Sequence, residues 1–187
     1  TRRRMDAVNA QIEPYLSNDL QVSEELHAHH PQAAMQSDYI WRAAHYPAYT
    51  HTDNCYYKCG EEMFEAMLAD IRQAERYIFL EYFILDRGQM YDRLVAELVK
   101  KAQEGVDVRL IYDDVGCMGK MPAHFYRDLQ KNGIKCAAFN PARPVLAIIM
   151  NHRDHRKIVV VDGKVAYTGG INIADEYINE IDRFGYW

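Results

Sequence analysis

The chain has 187 residues, of which 49% are hydrophobic and 26% are charged. This ordinary composition excludes a fibrous or wholly disordered protein and is sufficient for one domain with a sizeable core. The formal net charge is −5, which does not predict the broad basic surface typical of nucleic-acid-binding proteins. No apolar run approaches the roughly 20 residues that a membrane-spanning helix needs.

The first 53 residues are polar and predict a helical arm or linker. Residues 6–16 and 31–44 carry weak apolar stripes at helical spacing. Pro47 and the polar run after it indicate a boundary. We therefore expect the compact domain over residues 54–187.

Helix and strand patterns alternate through the first part of this domain. Amphipathic segments predict helices, and short apolar runs predict strands. In chain order they are a helix at 60–74, a strand at 76–85, a helix at 91–102, a strand at 106–112, a helix at 122–131 and a strand at 134–139. The alternation predicts an α/β sandwich with a mixed, largely parallel sheet flanked by helices.

An antiparallel hairpin is predicted to close the sheet. Residues 156–161 form a β-rich run, Asp162-Gly163 is a strong hairpin signal, and residues 164–168 run back. We therefore predict a hairpin whose loop consists of Asp162 and Gly163 alone.

The predicted register brings polar side chains to one face of this hairpin. Counting outward from the loop places Lys157 opposite Thr168 and His155 opposite Gly170. Because side chains alternate along a strand, these four residues share a face, and Asn172 follows in the same parity. An imidazole, an ammonium and an amide then converge, which is chemistry suited to a phosphate.

Further features of the same stretch favour an anion site. Gly169 and Gly170 allow close approach of the backbone to a ligand. Residues 172–178 predict a short helix whose N-terminus would add backbone donors. Asp162 has the opposite parity, so we expect it to order the loop by bonding neighbouring backbone rather than to contact the phosphate.

Two acidic residues stand at or near the ends of predicted strands. Glu81 interrupts an apolar strand, which predicts either a carboxylate that supports the site by bonding Lys157 or a histidine, or a strand-end position facing water. Asp113 follows another strand, where α/β sheets tend to build sites. It is predicted to lie at the rim of the site or to cap the next helix.

Basic residues cluster around the hairpin, although the chain as a whole is acidic. Arg143 belongs to this cluster, so we expect it to contact an anionic substrate. Residues 145–150, VLAIIM, form an apolar patch beside it. The patch is compatible with core packing or with an exposed lip that touches acyl chains.

The cysteines do not form a convincing metal site. Cys55 and Cys59 lie four apart near His45 and His51, but this spacing does not match a zinc knuckle. We therefore predict no metal. The scattered cysteines favour a reducing compartment.

The hairpin residues resemble a known family signature. The pattern consists of His155, Lys157, Asp162, Gly169, Gly170 and Asn172. It resembles the His-Lys-Asp signature of the phospholipase D superfamily, and the wider text is similar to bacterial cardiolipin synthases in EYFIL at 81–85, FNPARP at 139–144 and FGYW at 184–187. The resemblance covers roughly residues 54–187.

The resemblance implies phosphodiester transfer through a covalent phosphohistidine. His155 would attack the phosphorus, while Lys157 and Asn172 would stabilise charge on the non-bridging oxygens. In this family two such signatures meet in one active site, from two halves of a chain or from two subunits, and this sequence carries one. No cofactor or metal is expected.

The resemblance also implies substrates, partners and a location. Phosphatidylglycerol would be converted to cardiolipin at the cytoplasmic face of a membrane. The arginines at positions 2–4 would then lie just after an anchor, or they are simply exposed. The family usually orients its histidine with a carboxylate a little beyond the signature. That group is not expected within this chain, where the nearby substitutes are Asp175, Glu176, Glu180 and Asp182.

Two alternatives stay open at this stage. One is a dimeric nuclease or phosphodiesterase of the same superfamily, against which the acidic balance speaks. The other is a non-catalytic fragment that binds phosphate or lipid head groups.

Overall fold

The computed structural model of the protein describes residues 2–16, 19–142, 152–183 and 185–187. The chain divides into two compact units, residues 1–55 and 56–187. The sequence predicted a boundary between residues 53 and 54. All strands of the described sheet lie within the second unit.

The first unit is helical. Its elements are α1 (Arg2–Ile12), a 3-10 turn (Glu13–Tyr15), α2 (Leu20–His29) and α3 (Pro31–Ala44). Asp19 caps α2 because its carboxylate accepts the Gln21 N–H at 3.0 Å. His27 Nε2 lies 3.1 Å from Asp38 Oδ2 and links α2 to α3. Among the described residues, no helix combines the length and the apolar character that spanning a bilayer requires.

The second unit alternates helices and strands. Its elements are α4 (Gly60–Gln73), β1 (Tyr77–Tyr82), α5 (Gln89–Gln103), β2 (Asp107–Asp113), α6 (Phe125–Lys131), β3 (Lys135–Phe139), β4 (Lys157–Val161), β5 (Val165–Thr168) and a 3-10 turn (Asp175–Ile178). The helices and strands predicted before the hairpin are confirmed, with ends that differ by a few residues. The spacing of their apolar residues was therefore sufficient to predict the type and order of these elements.

The five strands form one mixed sheet in the order β3-β2-β1-β4-β5. β1, β2 and β3 are parallel, whereas β4 is antiparallel to both β1 and β5. The predicted α/β class with a mixed sheet is confirmed. In the described part of the sheet, the parallel pairings are those of the three strands before the hairpin, and the hairpin supplies the two antiparallel ones.

One face of the sheet carries the hydrophobic core. In β1 the buried side chains alternate, with Ile78, Leu80 and Tyr82 at most 3% exposed. The other face is more open, and Ile111 in β2 is 42% exposed there. Lys157 pairs with Tyr82, so the lysine belongs to the buried face.

The hairpin has the predicted turn but not the predicted register. Asp162 and Gly163 have positive φ angles of 55° and 72°, and the Lys164 N–H donates to the Val161 carbonyl at 3.0 Å. The ladder nevertheless pairs Val161 with Val165, so Lys164 is an extra residue between turn and ladder. The loop therefore has three residues instead of the predicted two, and the predicted register is wrong by one residue.

This shift changes which residues share a face. Ile158, rather than Lys157, pairs with Thr168. Thr168 therefore lies on the opposite face of the sheet from Lys157, and the same register does not place Gly170 opposite His155. The predicted grouping of these residues on one face is corrected.

Asp162 fastens the hairpin turn to the loop between α4 and β1. Its Oδ2 accepts the Glu75 N–H at 2.8 Å, and its Oδ1 accepts the N–H groups of Arg76 and Tyr77 at 2.8 and 2.9 Å. The residue orders a loop, as predicted, but a loop 85 to 87 residues away in sequence. Burial raises the pKa of Asp162, but these three donors outweigh burial and hold the pKa below its ordinary value.

We expect Asp162→Ala to destabilise the domain by roughly 3 kcal/mol, because three backbone N–H groups lose a charged acceptor at once. Urea unfolding of the wild-type and variant chains measures the difference. The contribution of Asp162 is present above its unfolded pKa and is lost as the pH falls through the lowered folded pKa. The two unfolding free energies should therefore converge in acid.

Asp128→Ala is the control for this prediction. Asp128 is 76% exposed and pairs with Lys131 on the surface, where such pairs contribute at most about 1 kcal/mol. A loss from Asp162→Ala no larger than the loss from Asp128→Ala would contradict the fastening role.

Candidate active site

The start of β4 lies beside the ends of β1 and β2. Because β4 runs antiparallel to β1, its first residue, Lys157, pairs with the last residue of β1, Tyr82. Asp113 ends β2, and its Oδ2 accepts the Asp154 N–H at 2.9 Å. His155 lies between these two attachments, at the carboxyl ends of the parallel strands, where α/β sheets build their sites.

His155 and Lys157 meet at the ring of Phe83. The Phe83 and His155 ring centroids are 4.7 Å apart, and Lys157 Nζ lies 5.2 Å from the Phe83 centroid. The structure therefore brings together the two side chains that the sequence placed on one face. The sequence analysis did not single out Phe83, although the residue lies within the predicted strand 76–85 and within the family-like EYFIL at 81–85.

The side chain of Lys157 is buried although it carries a charge. The residue is 6% exposed, and Nζ donates to the His155 carbonyl at 2.6 Å. Burial lowers the pKa of Lys157, and the charge of Asp154 partly offsets this. No ion pair joins Lys157 to another described residue, so an anion would supply its missing counter-charge.

The His155 residue is exposed, and no described carboxylate orients its ring. The sequence offered four candidates, namely Asp175, Glu176, Glu180 and Asp182. Within the described ranges, none of them forms a hydrogen bond with the ring. Asp175 instead accepts the N–H groups of Gln89 and Met90 at 2.9 and 2.8 Å, which caps the N-terminus of α5.

The two glycines after β5 do not approach other parts of the described protein. A Cβ added at Gly169 or Gly170 would meet no atom within 4 Å. Space beside the hairpin is therefore present, as predicted, but it lies open to solvent and is not created by the absence of a side chain opposite His155.

Asn172 is buried, and both ends of its amide are bonded. Its Oδ1 accepts the Ile84 N–H at 3.0 Å, and its Nδ2 donates to the Tyr177 hydroxyl at 2.9 Å. It thus holds the backbone next to Phe83. An amide nitrogen carries two protons, and Tyr177 accepts one of the two on Asn172.

The helix predicted over residues 172–178 is wrong in its first half. Ile173 remains extended because it donates to the Ile84 carbonyl at 3.2 Å and forms a parallel bridge with Leu85. Only the four-residue 3-10 turn Asp175–Ile178 follows. One turn has no substantial dipole, so the predicted N-terminal anion donors are also corrected.

Glu81 contacts Arg156 and Asp154 rather than His155 or Lys157. Its Oε1 lies 2.6 Å from Arg156 Nη2, while Arg156 Nε donates to Asp154 Oδ1 at 3.0 Å. In the ladder Glu81 pairs with Ile158, which places it on the face opposite Lys157. The predicted bond to Lys157 or a histidine is therefore wrong.

The carboxyl groups of Glu81 and Asp154 shift each other's pKa in opposite directions. Burial raises the pKa of Glu81 to about 7, and the hydrogen bond and negative charge of Asp154 add to this, against the charge of Arg156. Burial also acts to raise the pKa of Asp154, but hydrogen bonds from Glu81 and Arg156 outweigh it and lower the pKa. Glu81 is therefore the protonated partner over most of the acid range.

Asp113 lies beneath the site instead of at its rim. It is fully buried, and its Oδ1 accepts the Gly116 N–H at 2.9 Å, which closes the turn after β2. The predicted rim position is corrected, and the predicted cap of a following helix is replaced by this turn. Asp113 also accepts a hydrogen bond from Arg153, which precedes the catalytic segment.

Some predicted features lie outside the described residues. They are Arg143 and the apolar patch at residues 145–150. Across the ranges that the structure describes, no three His, Cys, Asp or Glu side chains cluster in a way that could hold a metal ion. All four cysteines are free.

The sequence matches the family described as "Cardiolipin synthase, PLD-like domain" over residues 67–182. This span is more than half of the chain and includes both His155 and Lys157. The chain belongs to this family. The resemblance to the phospholipase D superfamily and its cardiolipin synthases is thereby confirmed.

Several relatives are longer than this chain. It is 42% identical over 176 residues to an uncharacterized protein of Streptococcus mutans, covering 94% of this chain and 38% of that one. It is 39% identical over 142 residues to cardiolipin synthase 2 of Staphylococcus epidermidis and 40% identical over 143 residues to cardiolipin synthase of Staphylococcus aureus. Each of these two matches covers 75% of this chain and 29% of the relative.

Solved structures show a more distant similarity. Nuc of Salmonella typhimurium, a phospholipase D family member, is 20% identical with a TM-score of 0.45, covering 60% of this chain and 66% of that one. NucT of Helicobacter pylori is 12% identical with a TM-score of 0.48, covering 68% and 74%.

We predict that Glu81 titrates at about pH 7 in the folded protein, because burial and Asp154 both disfavour its charged form. A carbon-13 NMR titration of the side-chain carboxyl groups measures this pKa, and Glu81→Gln assigns the signal. Asp154→Asn should lower the pKa of Glu81 while leaving it above its ordinary value, since burial persists.

Stability should depend on pH in the same window. Because the folded pKa of Glu81 lies above the unfolded value, its contribution is complete below about pH 4.5 and is lost as the pH rises towards 7. Glu81→Gln should remove this slope. A Glu81 signal that titrates near pH 4.5 in the wild-type protein would refute the raised pKa.

Proposed function

We propose that this chain supplies one half of the active site of a phosphatidyl transferase that forms cardiolipin from two phosphatidylglycerol molecules. The observation that carries the proposal is the meeting of His155 and Lys157 at the Phe83 ring, in a chain of the cardiolipin synthase family. The exposed imidazole is available to attack, and the buried ammonium lacks a described counter-charge.

In the first step a ring nitrogen of His155 attacks the phosphorus of phosphatidylglycerol. A P–N bond forms, and the P–O bond to the glycerol head group breaks. Lys157 stabilises the charge on the non-bridging oxygens, and the side-chain amide of Asn172 assists. The leaving glycerol oxygen takes a proton from an acid outside this chain.

In the second step a hydroxyl of another phosphatidylglycerol attacks the phosphohistidine. The new P–O bond forms as the P–N bond breaks, and the attacking hydroxyl gives its proton to the base that acted as acid before. Cardiolipin and free His155 result. Water in place of the second lipid would make the protein a hydrolase.

We assign the acid to a second His-Lys-Asp signature. The sequence contains one such signature, and the chain spans 38% and 29% of the relatives compared above. The second signature would come from another half of a longer chain or from a dimer mate. The isolated chain should therefore turn over slowly or not at all.

We place the reaction at a membrane surface, at its cytoplasmic face, because the substrates are phospholipids and the cysteines are free. Arg143 is proposed to contact the head group. Neither metal nor cofactor is needed, since His155 supplies the nucleophile and Lys157 the positive charge. The net charge of −5 does not favour nucleic acid as a partner.

The test is conversion of phosphatidylglycerol vesicles to cardiolipin by the complete protein to which this chain belongs. We expect His155→Ala to reduce the rate at least about 10³-fold, because no other group in the site replaces a covalent nucleophile. Rapid acid-free quenching with labelled lipid should trap the label on His155. Lipid product is measured by chromatography.

His29→Ala is the matched control, because this histidine is exposed at the end of α2 and should leave the rate unchanged. Conversion that survives His155→Ala would reject the proposal. Cleavage of DNA without lipid transfer would favour a nuclease, and lipid binding without any labelled histidine would favour a binding fragment.

A further inference from the structure

The segment that carries His155 is not part of the β-ladder. β4 begins at Lys157, so residues 152–156 lack the regular hydrogen bonds that fix a strand. Their position must come from other contacts. These contacts converge on Asp113, a fully buried carboxylate at the end of β2.

Asp113 receives donors from both sides of the site. Its Oδ2 accepts the Asp154 N–H at 2.9 Å, one residue before His155, and its Oδ1 accepts Arg153 Nη1 at 3.1 Å. The same Oδ1 accepts the Gly116 N–H at 2.9 Å. An unpaired buried carboxylate is costly, so these hydrogen bonds favour the observed position of the segment.

Arg153 extends the contact to the end of β3. Its Nη2 donates to the Asn140 carbonyl at 3.0 Å, and its Nε donates to the His152 carbonyl at 3.0 Å. The Asn140 side chain donates to the same His152 carbonyl at 2.9 Å. The guanidinium thus ties the segment before His155 to the ends of two strands.

We propose that Asp113 and Arg153 are positioning residues for the nucleophile: together they clamp residues 152–154, so that the His155 ring is held against Phe83 and aimed at the phosphorus. Neither side chain needs to touch the lipid. This role rests on the proposed function: the buried ion pair of Asp113 and Arg153 would orient the attacking ring of His155. It also gives the segment a rigid support that no ladder supplies.

The clamp should affect the rate of attack more than the binding of lipid. A nucleophile displaced by about 1 Å loses on the order of 10²-fold in rate, whereas Lys157, the proposed phosphate contact, is held separately by its pairing with Tyr82 in the ladder. Asp113→Asn keeps the shape of the side chain but turns an amide N–H group towards one of its donors. Arg153→Lys keeps the charge but cannot bridge Asp113 and the Asn140 carbonyl as a planar fork does.

The experiment measures the single-turnover rate of histidine labelling in the complete protein, with phosphatidylglycerol vesicles as the probe. We expect Asp113→Asn and Arg153→Lys to slow labelling about 100-fold with KM changed less than about threefold. Because the two residues act as a unit, the double variant Asp113→Asn/Arg153→Lys should be no slower than the worse of these two single variants. Amide exchange in residues 152–157 should rise.

Leu98→Ala is the control for stability, because Leu98 is 1% exposed in α5 and its loss weakens the core of the same domain. It should change neither the labelling rate nor exchange in residues 152–157. If the wild-type protein labels and Asp113→Asn and Arg153→Lys label equally fast, the clamp is refuted and the proposed function stands. If the wild-type protein labels no histidine, the proposed function fails and the clamp's role fails with it.

Discussion

The pairing of β4 with β1 determines where His155 and Lys157 lie in the fold. β4 runs antiparallel to β1, so its first residue, Lys157, stands beside the last residue of β1, Tyr82. A parallel β4 would have placed the same residues at the amino ends of β1 and β2, away from their carboxyl ends. The antiparallel pairing brings the segment around His155 to the carboxyl ends of the parallel strands, where loops from several strands converge. It also points Lys157 into the face that holds the core, which makes it a desolvated cation.

Three buried aspartates hold this arrangement together, and their carboxylates bond backbone rather than the side chains of His155 and Lys157. Asp162 accepts three backbone N–H groups before β1, Asp175 accepts two at the start of α5, and Asp113 fixes the segment before His155. Each joins parts of the chain that are distant in sequence. Hydrogen bonds to a charged acceptor contribute roughly 1.5–3 kcal/mol each, which offsets the desolvation of the carboxylate. Asp162, the Asp of the signature, therefore fastens the fold, whereas His155 and Lys157 meet at the Phe83 ring.

Periodicity and turn chemistry made most of the fold predictable, and tertiary contacts account for the errors. Asp162 and Gly163 adopt the left-handed turn that their identities favour. However, Asp162 is held by the backbone N–H of Tyr77, and Lys164 lies outside the ladder. The register is therefore shifted by one residue. The sequence predicted that His155 and Lys157 share a face, since that depends only on alternation. It could not predict Phe83, or the bond from Asp154 to Asp113, because these contacts depend on how separate strand ends meet.

Alternate side chains of residues 154–157 point to opposite sides, and this separates their charges. Asp154 and Arg156 point to the side of Glu81. Because the pKa of Glu81 is raised to about 7, the two carboxyl groups together carry about one negative charge below pH 7. The Arg156 guanidinium balances this charge. Lys157 points to the other side, with one of its three N–H donors bonded to the His155 carbonyl. In the proposed mechanism the charges behind Lys157 nearly cancel, so they do not compete with a phosphate for the ammonium. Ionisation of Glu81 would add a negative charge behind the lysine, and we infer that it would weaken the proposed attraction of Lys157 for a phosphate.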